Sequence, residues 1–289
     1  MAGKQVNELD ALPSFTDTSL LPVHNGAGLK KGRLSQLASY LGTKFSNPNL
    51  LINPDFKINQ RGQTTYEKNN QGPAIYTVDR WVIWNATLNA NSILLKAYDS
   101  GIGLIMQRLE NKINGTATVS FEVSSISGTL IAVARNTSGD SLGEISVTQK
   151  GIYQFTANRE ISDITFKISA SGSVTLAWTK LEQGSVATPF IAPNLAEELI
   201  KCKRYYYFSV LHFYGVCNSN GSLNEDLVLY RHFRTSPTFS KNATYSKNVT
   251  VSTLAIKGSN DNGYYLYVRT PTSGTYELDL TIKADAEIY

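Results

Sequence analysis

Apolar and polar positions divide the chain into three zones with different periods. Between residues 47 and 192 the apolar residues fall in short runs that alternate with polar ones and are separated by turn residues, the pattern of half-buried strands. From Thr116 to Val123 the side chains of Ala117, Val119, Phe121 and Val123 share one face. Comparable runs span 76–84, 92–98, 103–109, 129–135, 143–148, 151–156, 163–169 and 174–181. Eight or nine strands at such intervals predict a two-sheet β-sandwich of jelly-roll type.

The flanking zones read differently. Residues 1–46 hold an extended stretch, Leu20-Leu21-Pro22-Val23, then the turn-forming run His24-Asn25-Gly26-Ala27-Gly28. Leu34, Leu37, Ala38 and Leu41 follow at helical spacing behind Arg33, with Gly42 placed as a stop. So small a zone cannot bury a core alone. Its apolar residues Leu20, Leu21, Pro22, Val23, Leu34 and Leu37 therefore predict a docking arm that needs a partner surface. Residues 193–289 open with Leu195, Leu199, Cys202 and Tyr206 near one helical stripe, then return to β runs at 227–233, 249–256, 264–269 and 276–284. A region of this size makes a second, smaller β-sandwich-like domain, which gains stability by associating with copies of itself. Together the patterns predict an all-β chain: an arm with a small helix over 1–46, a jelly roll over 47–192 and a C-terminal β domain over 193–289.

Composition sharpens this picture. With 42% hydrophobic and only 17% charged residues, the surface is covered by Ser, Thr, Asn, Gln and Gly, which suits sheets wet on one face rather than salt-bridged helices. The 27 basic residues are scattered and their clusters short, as in Lys30-Lys31-Gly32-Arg33, so no nucleic-acid face is predicted. Cys202 and Cys217 lack both a CxxC partner pair and a nearby His set; zinc is not implied, and two buried thiols or a short disulfide remain the readings. No apolar run reaches 18 residues and the N-terminus is too polar for a signal peptide, so synthesis in a cytoplasm without membrane insertion is expected. No cofactor is implied.

Candidate chemistry is sparse. Asp79-Arg80-Trp81 places a carboxylate, a cation and an indole together, as a sugar site would, but large aromatics serve more often as core, with Asp79 or Arg80 fixing the adjoining loop. Strand alternation puts Trp81 and Trp84 on opposite faces, which leaves Trp84 as a candidate for stacking on a pyranose or for packing against a neighbouring domain. Asp79 and Glu182 are the carboxylates a structural calcium would use, although such a site needs about six to eight oxygens and turn capping is the more economical reading. His24, His212 and His232 are dispersed and lack catalytic company. The aromatic stretch that includes Tyr207, His212 and Tyr214 suits a receptor face or, equally, a threefold interface.

Three motif groups carry a resemblance. Thr16 to Val23 followed by Leu29 to Leu37 resembles the opening stretch of phage fibre and spike proteins, the end that attaches to the virion. The run Asn49-Leu50-Leu51-Ile52-Asn53-Pro54-Asp55-Phe56, the Asp79-Arg80-Trp81 triplet and the closing stretch Lys180 to Phe190 together resemble the carbohydrate-binding-module-like jelly roll of phage tail proteins. Cys202-Lys203-Arg204-Tyr205-Tyr206, Phe233-Arg234-Thr235-Ser236-Pro237 and the ending Ala284 to Tyr289 resemble the distal part of such proteins.

The resemblance implies a bacteriophage tail-fibre or appendage protein, commonly a homotrimer, joined by its N-terminus to other phage structural proteins of tail, baseplate or capsid. Its place would be the virion and its ligand a host-surface glycan or receptor. Arg80, Trp84, Tyr207, His212 and Tyr214 are the residues expected to meet that ligand. No enzymatic activity is expected: a glycan-cleaving tailspike holds two carboxylates roughly 5 to 9.5 Å apart, usually on a repetitive β-helix, and no such repeat appears here. A purely structural head fibre or baseplate decoration is the other reading.

Overall fold

The structure, a computed structural model, describes residues 20–24, 29–34, 36–37, 46–217, 221–227, 233–258 and 264–288. It is all-β apart from one helix and short helical turns.

The N-terminal part is a hairpin of β1 (Leu20–His24) and β2 (Leu29–Arg33), paired from Leu20 with Arg33 to His24 with Leu29. The expected extended stretch is thus a strand, and it has a partner strand where the pattern predicts only a turn and a helix. Of the helical pattern, Leu34, Gln36 and Leu37 are described, with Gln36 Oε1 accepting the Arg33 N–H at 2.8 Å. Ala38, Leu41 and Gly42 lie outside the described residues. Leu20 and Leu37 are exposed, Pro22 is exposed and Leu34 half-buried; the side chains of Leu21 and Val23 lie outside the description.

The central sandwich contains β3 (Thr65–Lys68), β4 (Ile75–Tyr76), β5 (Val82–Trp84), β6 (Ala86–Asn89), β7 (Leu94–Ala97), β8 (Gly103–Ile113), β9 (Ala117–Ser127), β10 (Leu130–Arg135), β11 (Ser141–Val147), β12 (Gly151–Ala157), β13 (Ile161–Ile168) and β14 (Ser173–Gln183). Two antiparallel six-stranded sheets form, in the orders β11-β10-β13-β8-β5-β4 and β12-β9-β14-β7-β6-β3. The chain crosses between sheets at β3–β4, β5–β6, β7–β8, β8–β9, β9–β10, β11–β12, β12–β13 and β13–β14, the interleaving of a jelly roll. Inward residues of both sheets meet in one core, where Trp81, Phe121 and Phe166 are buried and Phe121 meets Phe166 edge-on at 5.1 Å. The face predicted for Ala117, Val119, Phe121 and Val123 is this core face. Close backbone approach is visible at Gly103, where a Cβ would stand 2.8 Å from that of Ala97.

The opening and closing motifs of this sandwich are stitched to each other. Leu50 N–H donates to Leu181 O at 2.8 Å, Asn49 Nδ2 to Thr179 O at 2.9 Å, and Leu181 N–H returns to Asn49 Oδ1 at 3.1 Å. Lys180, 1% exposed, donates through Nζ to Ser46 Oγ, Thr188 Oγ1, Thr188 O and Pro189 O, and pairs with Glu182 at 3.3 Å. Such an ammonium has no unsatisfied proton, which is the condition for burying it. Outside this staple Trp178 stacks on Phe190 at 4.6 Å with the rings 6° apart.

Helix α1 (Leu195–Lys203) is capped by Asn194, whose side chain accepts from Ala196 N at 2.9 Å and Glu197 N at 3.3 Å; Glu197 and Glu198 in its first turn and Lys201 and Lys203 in its last suit its dipole. It ends before Tyr206, because a strand begins there. The second sandwich pairs a sheet of β15 (Tyr206–Cys217), β20 (Gly274–Asp285) and β17 (Thr238–Lys247), ordered β15-β20-β17, with one of β16 (Gly221–Leu227), β19 (Tyr264–Thr270) and β18 (Ala255–Gly258), ordered β16-β19-β18. Leu254, Leu266, Val268, Leu278, Leu280 and Ile282 form its core. The β run expected at 227–233 is a strand only up to Leu227, with 228–232 outside the described residues, and that at 249–256 holds a 3-10 turn, Val251–Thr253, and becomes strand only at β18.

Candidate functional site

The motif residues do not form an open sugar site. They converge on a buried polar junction between the two sandwiches. Trp81 is core, its Nε1 donating to Asn53 O at 2.9 Å, and Asn53 itself bonds Ile58 O and Asp79 O through Nδ2 and receives Ile58 N–H on Oδ1. Asn53 N–H donates to Glu198 of α1 at 2.7 Å. One asparagine therefore joins the opening loop, the loop around Asp79 and the helix.

Asp79 accepts both the backbone N–H and the Nε2 of Gln60, with Arg61 Nη1 3.8 Å away. Burial pushes its carboxyl up from 3.8 to about 6, the bonds from Gln60 and the charge of Arg61 opposing this. Arg80 is held at φ 72°, a left-handed conformation that costs a side-chain-bearing residue on the order of 1 kcal/mol. Its Nη1 meets Glu287 Oε2, its Nη2 donates to Arg108 O at 2.7 Å, and its Cζ lies 3.7 Å over the Tyr205 ring. Arg61 brings a second guanidinium to Glu287 at 3.3 Å and stacks 3.8 Å over Tyr206. Arg234 donates to Ala286 O and Glu287 O, both at 3.0 Å, and Tyr76 Oη donates to Ile288 O. Burial raises the Tyr76 phenol to about 12, so it stays a donor across the working pH range.

These placements revise the expected ligand set. Arg80 is 1% exposed, with Nη1 on Glu287 and Nη2 on Arg108 O, so its two terminal nitrogens are committed within the protein and are not the open ligand contact expected. Asp79 is committed to Gln60, and Glu182 accepts Thr188 N–H and Oγ1 beside Lys180, so the two carboxylates offered for calcium serve separate protein donors. Among the described residues no group of three or more His, Cys, Asp or Glu side chains is placed to hold a metal ion. Trp84 is half-buried at the end of β5. Tyr207 turns inward against the core of the second sandwich. His24 and His232 lie outside the described side chains. Cys202 and Cys217 are buried free thiols.

His212 and Tyr214 do face solvent, and they have company. Along β15 exposure alternates, so that Phe208, Val210, His212, Tyr214 and Val216 all point outward, with Val210, Tyr214 and Val216 each more than 60% exposed. His212 Nδ1 meets Asp279 Oδ1 at 2.5 Å on the neighbouring β20; that bond raises the imidazole above its ordinary value. The valines were not anticipated as surface residues. Their alternation with Leu211 and Phe213 was the available signal, but it does not say which of two apolar faces is covered.

A second feature is a cleft of about 570 Å³ beside the junction, lined by Arg108, Glu110, Asn111 and Asn114 of β8 and the turn after it, Gln183 of β14, and Lys201 and Arg204 of α1 and its cap. No local pattern along the chain points to it, since its walls come from five separate stretches, Leu50 and Arg80 among them.

The fold and the junction define the chain as a two-sandwich all-β protein. No family model matches it, and no curated protein matches it by sequence. Solved structures resemble it at low identity. The enzymatically active domain of tailspike protein 4 of bacteriophage CBA120 is 10% identical with TM-score 0.30, over 46% of this chain and 21% of that one. The N-terminal CBM22-1–CBM22-2 tandem of Paenibacillus barcinonensis Xyn10C is 10% identical with TM-score 0.29, over 83% of this chain and 98% of that one. BiXyn10A CBM1 is 12% identical with TM-score 0.29, over 48% and 100% respectively. The chain thus spans about a fifth of the tailspike domain's length.

Proposed function

We propose that this chain is a non-enzymatic appendage of a bacteriophage particle, which docks by its N-terminal arm, self-associates through the outer face of β15 and binds a host-surface saccharide or receptor. The observation that carries the self-association is the row Phe208, Val210, His212, Tyr214 and Val216 on one strand face. A largely apolar row left exposed on one face of a domain marks an interaction surface. A second copy is the partner that fits, because three-stranded sheets bury little core of their own and gain it by association. Three copies at a tip also make weak ligand sites sufficient through avidity.

The virion setting rests on the motif resemblance in the sequence and on the exposed Leu20 and Leu37 of the arm. In the cleft of about 570 Å³ a binding role is favoured over glycan cleavage, because Glu110 is the sole carboxylate residue among those lining it, whereas hydrolysis needs a pair. Sedimentation of the purified protein and adsorption to host cells test the proposal. A trimer that adsorbs is expected; a strict monomer that does not adsorb, or release of reducing ends from host polysaccharide, overturns it. Labelling the protein on intact particles separates a tail position from a head or baseplate one.

A further inference from the structure

The geometry points to the 570 Å³ cleft between β8 and α1 as the ligand site, and to a carboxylate-bearing saccharide as its ligand class. This rests on the binding role proposed above and adds where the ligand sits and what it is. The volume falls within the roughly 300–1,000 Å³ of small-molecule sites.

Three observations converge. First, β8 carries a large irregularity: Arg108 pairs with Asp163 while Ile113 pairs with Ile161, so Leu109 to Lys112 bulge out opposite Ser162 and form one wall. Bulges of this kind re-aim side chains and break strand pairing. Secondly, the charges are mostly spoken for, except one. Arg204 holds Glu110 at 3.0 Å, Lys201 holds Glu198 at 2.8 Å and Lys112 holds Glu160 at 2.5 Å. Arg108 has no carboxylate within ion-pair distance among the described residues; its Nη1 makes only a 3.4 Å contact with Ile288 O. Thirdly, the floor contains a buried donor without a partner. Arg80, 1% exposed, lines the cleft, and its Nε makes no hydrogen bond among the described residues. A buried orphan donor of this kind costs about 1–3 kcal/mol and is an opening for a ligand oxygen or a bridging water.

The remaining lining fits a sugar. The amides of Asn111, Asn114 and Gln183 supply paired donors and acceptors for vicinal hydroxyls, and Leu50 and Leu109 supply an apolar patch for a ring face. The floor is prearranged, because Gln107 is locked to Ile52 by bonds of 2.7 and 2.8 Å in both directions. Glu110 disfavours an acid placed directly beside it, yet its two oxygens are taken by Arg204 and Tyr205, which leaves Arg108 as the group that receives the ligand carboxylate.

The test uses the full chain on an array of uronic- and sialic-acid oligosaccharides with neutral counterparts, followed by calorimetry on the best binder, on citrate and on sulfate. Expected are binding of an acidic saccharide at least tenfold tighter than its neutral counterpart, a tenfold or greater loss in Arg108→Ala with unchanged melting temperature, a smaller loss in Asn111→Ala, and weakening with salt. Absence of every acidic saccharide from the bound set, equal binding of neutral partners or citrate, or binding that survives Arg108→Ala overturns the site. Host-cell adsorption is measured beside it: adsorption that persists in Arg108→Ala sinks the cleft and leaves the appendage reading standing, whereas no adsorption by the native chain sinks that reading itself.

Discussion

Arg80 and Glu287 are separated by 207 residues and share a buried ion pair, with the Arg80 guanidinium 1% exposed and the Glu287 carboxylate fully enclosed. The pair joins the first sandwich to the last residues of the second. Because Arg61 also reaches Glu287, one carboxylate neutralises two guanidinium groups.

That asymmetry predicts unequal losses. Glu287→Ala leaves Arg80 buried without a carboxylate and Arg61 with Asp79 alone, 3.8 Å away, and a loss of about 3–5 kcal/mol is expected in denaturant unfolding. Arg80→Met leaves Glu287 with Arg61 and costs less, while the double variant Arg80→Met, Glu287→Leu recovers part of the single Glu287→Ala loss. Equal losses for both single variants count against the shared arrangement.

Asp79 predicts a pH dependence. Its folded-state carboxyl titrates at about 6 against an ordinary 3.8, so between these values the folded chain binds more protons than the unfolded one. Stability is therefore highest below pH 4 as far as this group is concerned, and falls as pH rises through 6, by on the order of 3 kcal/mol. Asp79→Asn cannot titrate. Its unfolding free energy, measured from pH 4 to 7, is expected to lack the downward slope that the native chain shows relative to it.

Much of the fold was legible and the junction was not, for physical reasons. Alternation in 116–123 and 129–135 exposes a period that burial enforces, and β9 and β10 fall there. Short strands such as β3 and β6 carry too few residues to show a period, and β17, with Lys241, Asn242 and Lys247 exposed, reads as loop. Asp79, Arg80 and Trp81 were conspicuous as a group, but their roles depend on Gln60, Tyr205 and Glu287, whose nearness only the tertiary fold creates. Tyr205 and Tyr206 likewise read as part of an aromatic stretch or a helical stripe, although both are buried beneath Arg80 and Arg61 of the first sandwich.

Lys180 predicts a local effect. Removing its ammonium leaves Glu182 buried with only Thr188 as partner, so Lys180→Met is expected to cost about 3 kcal/mol or more. Hydrogen exchange gives the sharper readout: the amides of Asn47 and Thr188 lose protection together, because the staple joins those two segments. Faster exchange spread evenly over the sandwich argues against a local staple.

The β15 row gives the last prediction. Val210 and Val216 are 65% and 63% exposed, and both face away from the core formed by Leu278, Leu280 and Ile282. A lysine at either position alters no internal contact, since β-sheet alternation keeps the side chain on the wet face. In a monomer such a change is neutral, within about 0.5 kcal/mol. In an assembly built on this face it places like charges against one another and against apolar surface, so Val210→Lys with Val216→Lys converts the native sedimenting species to a monomer of unchanged circular dichroism. The control is Lys241→Ala on β17, at an exposed position on the far strand of the same sheet, which leaves the assembly intact if contact is confined to the β15 edge. Native mass retained by the double variant would show that copies associate elsewhere.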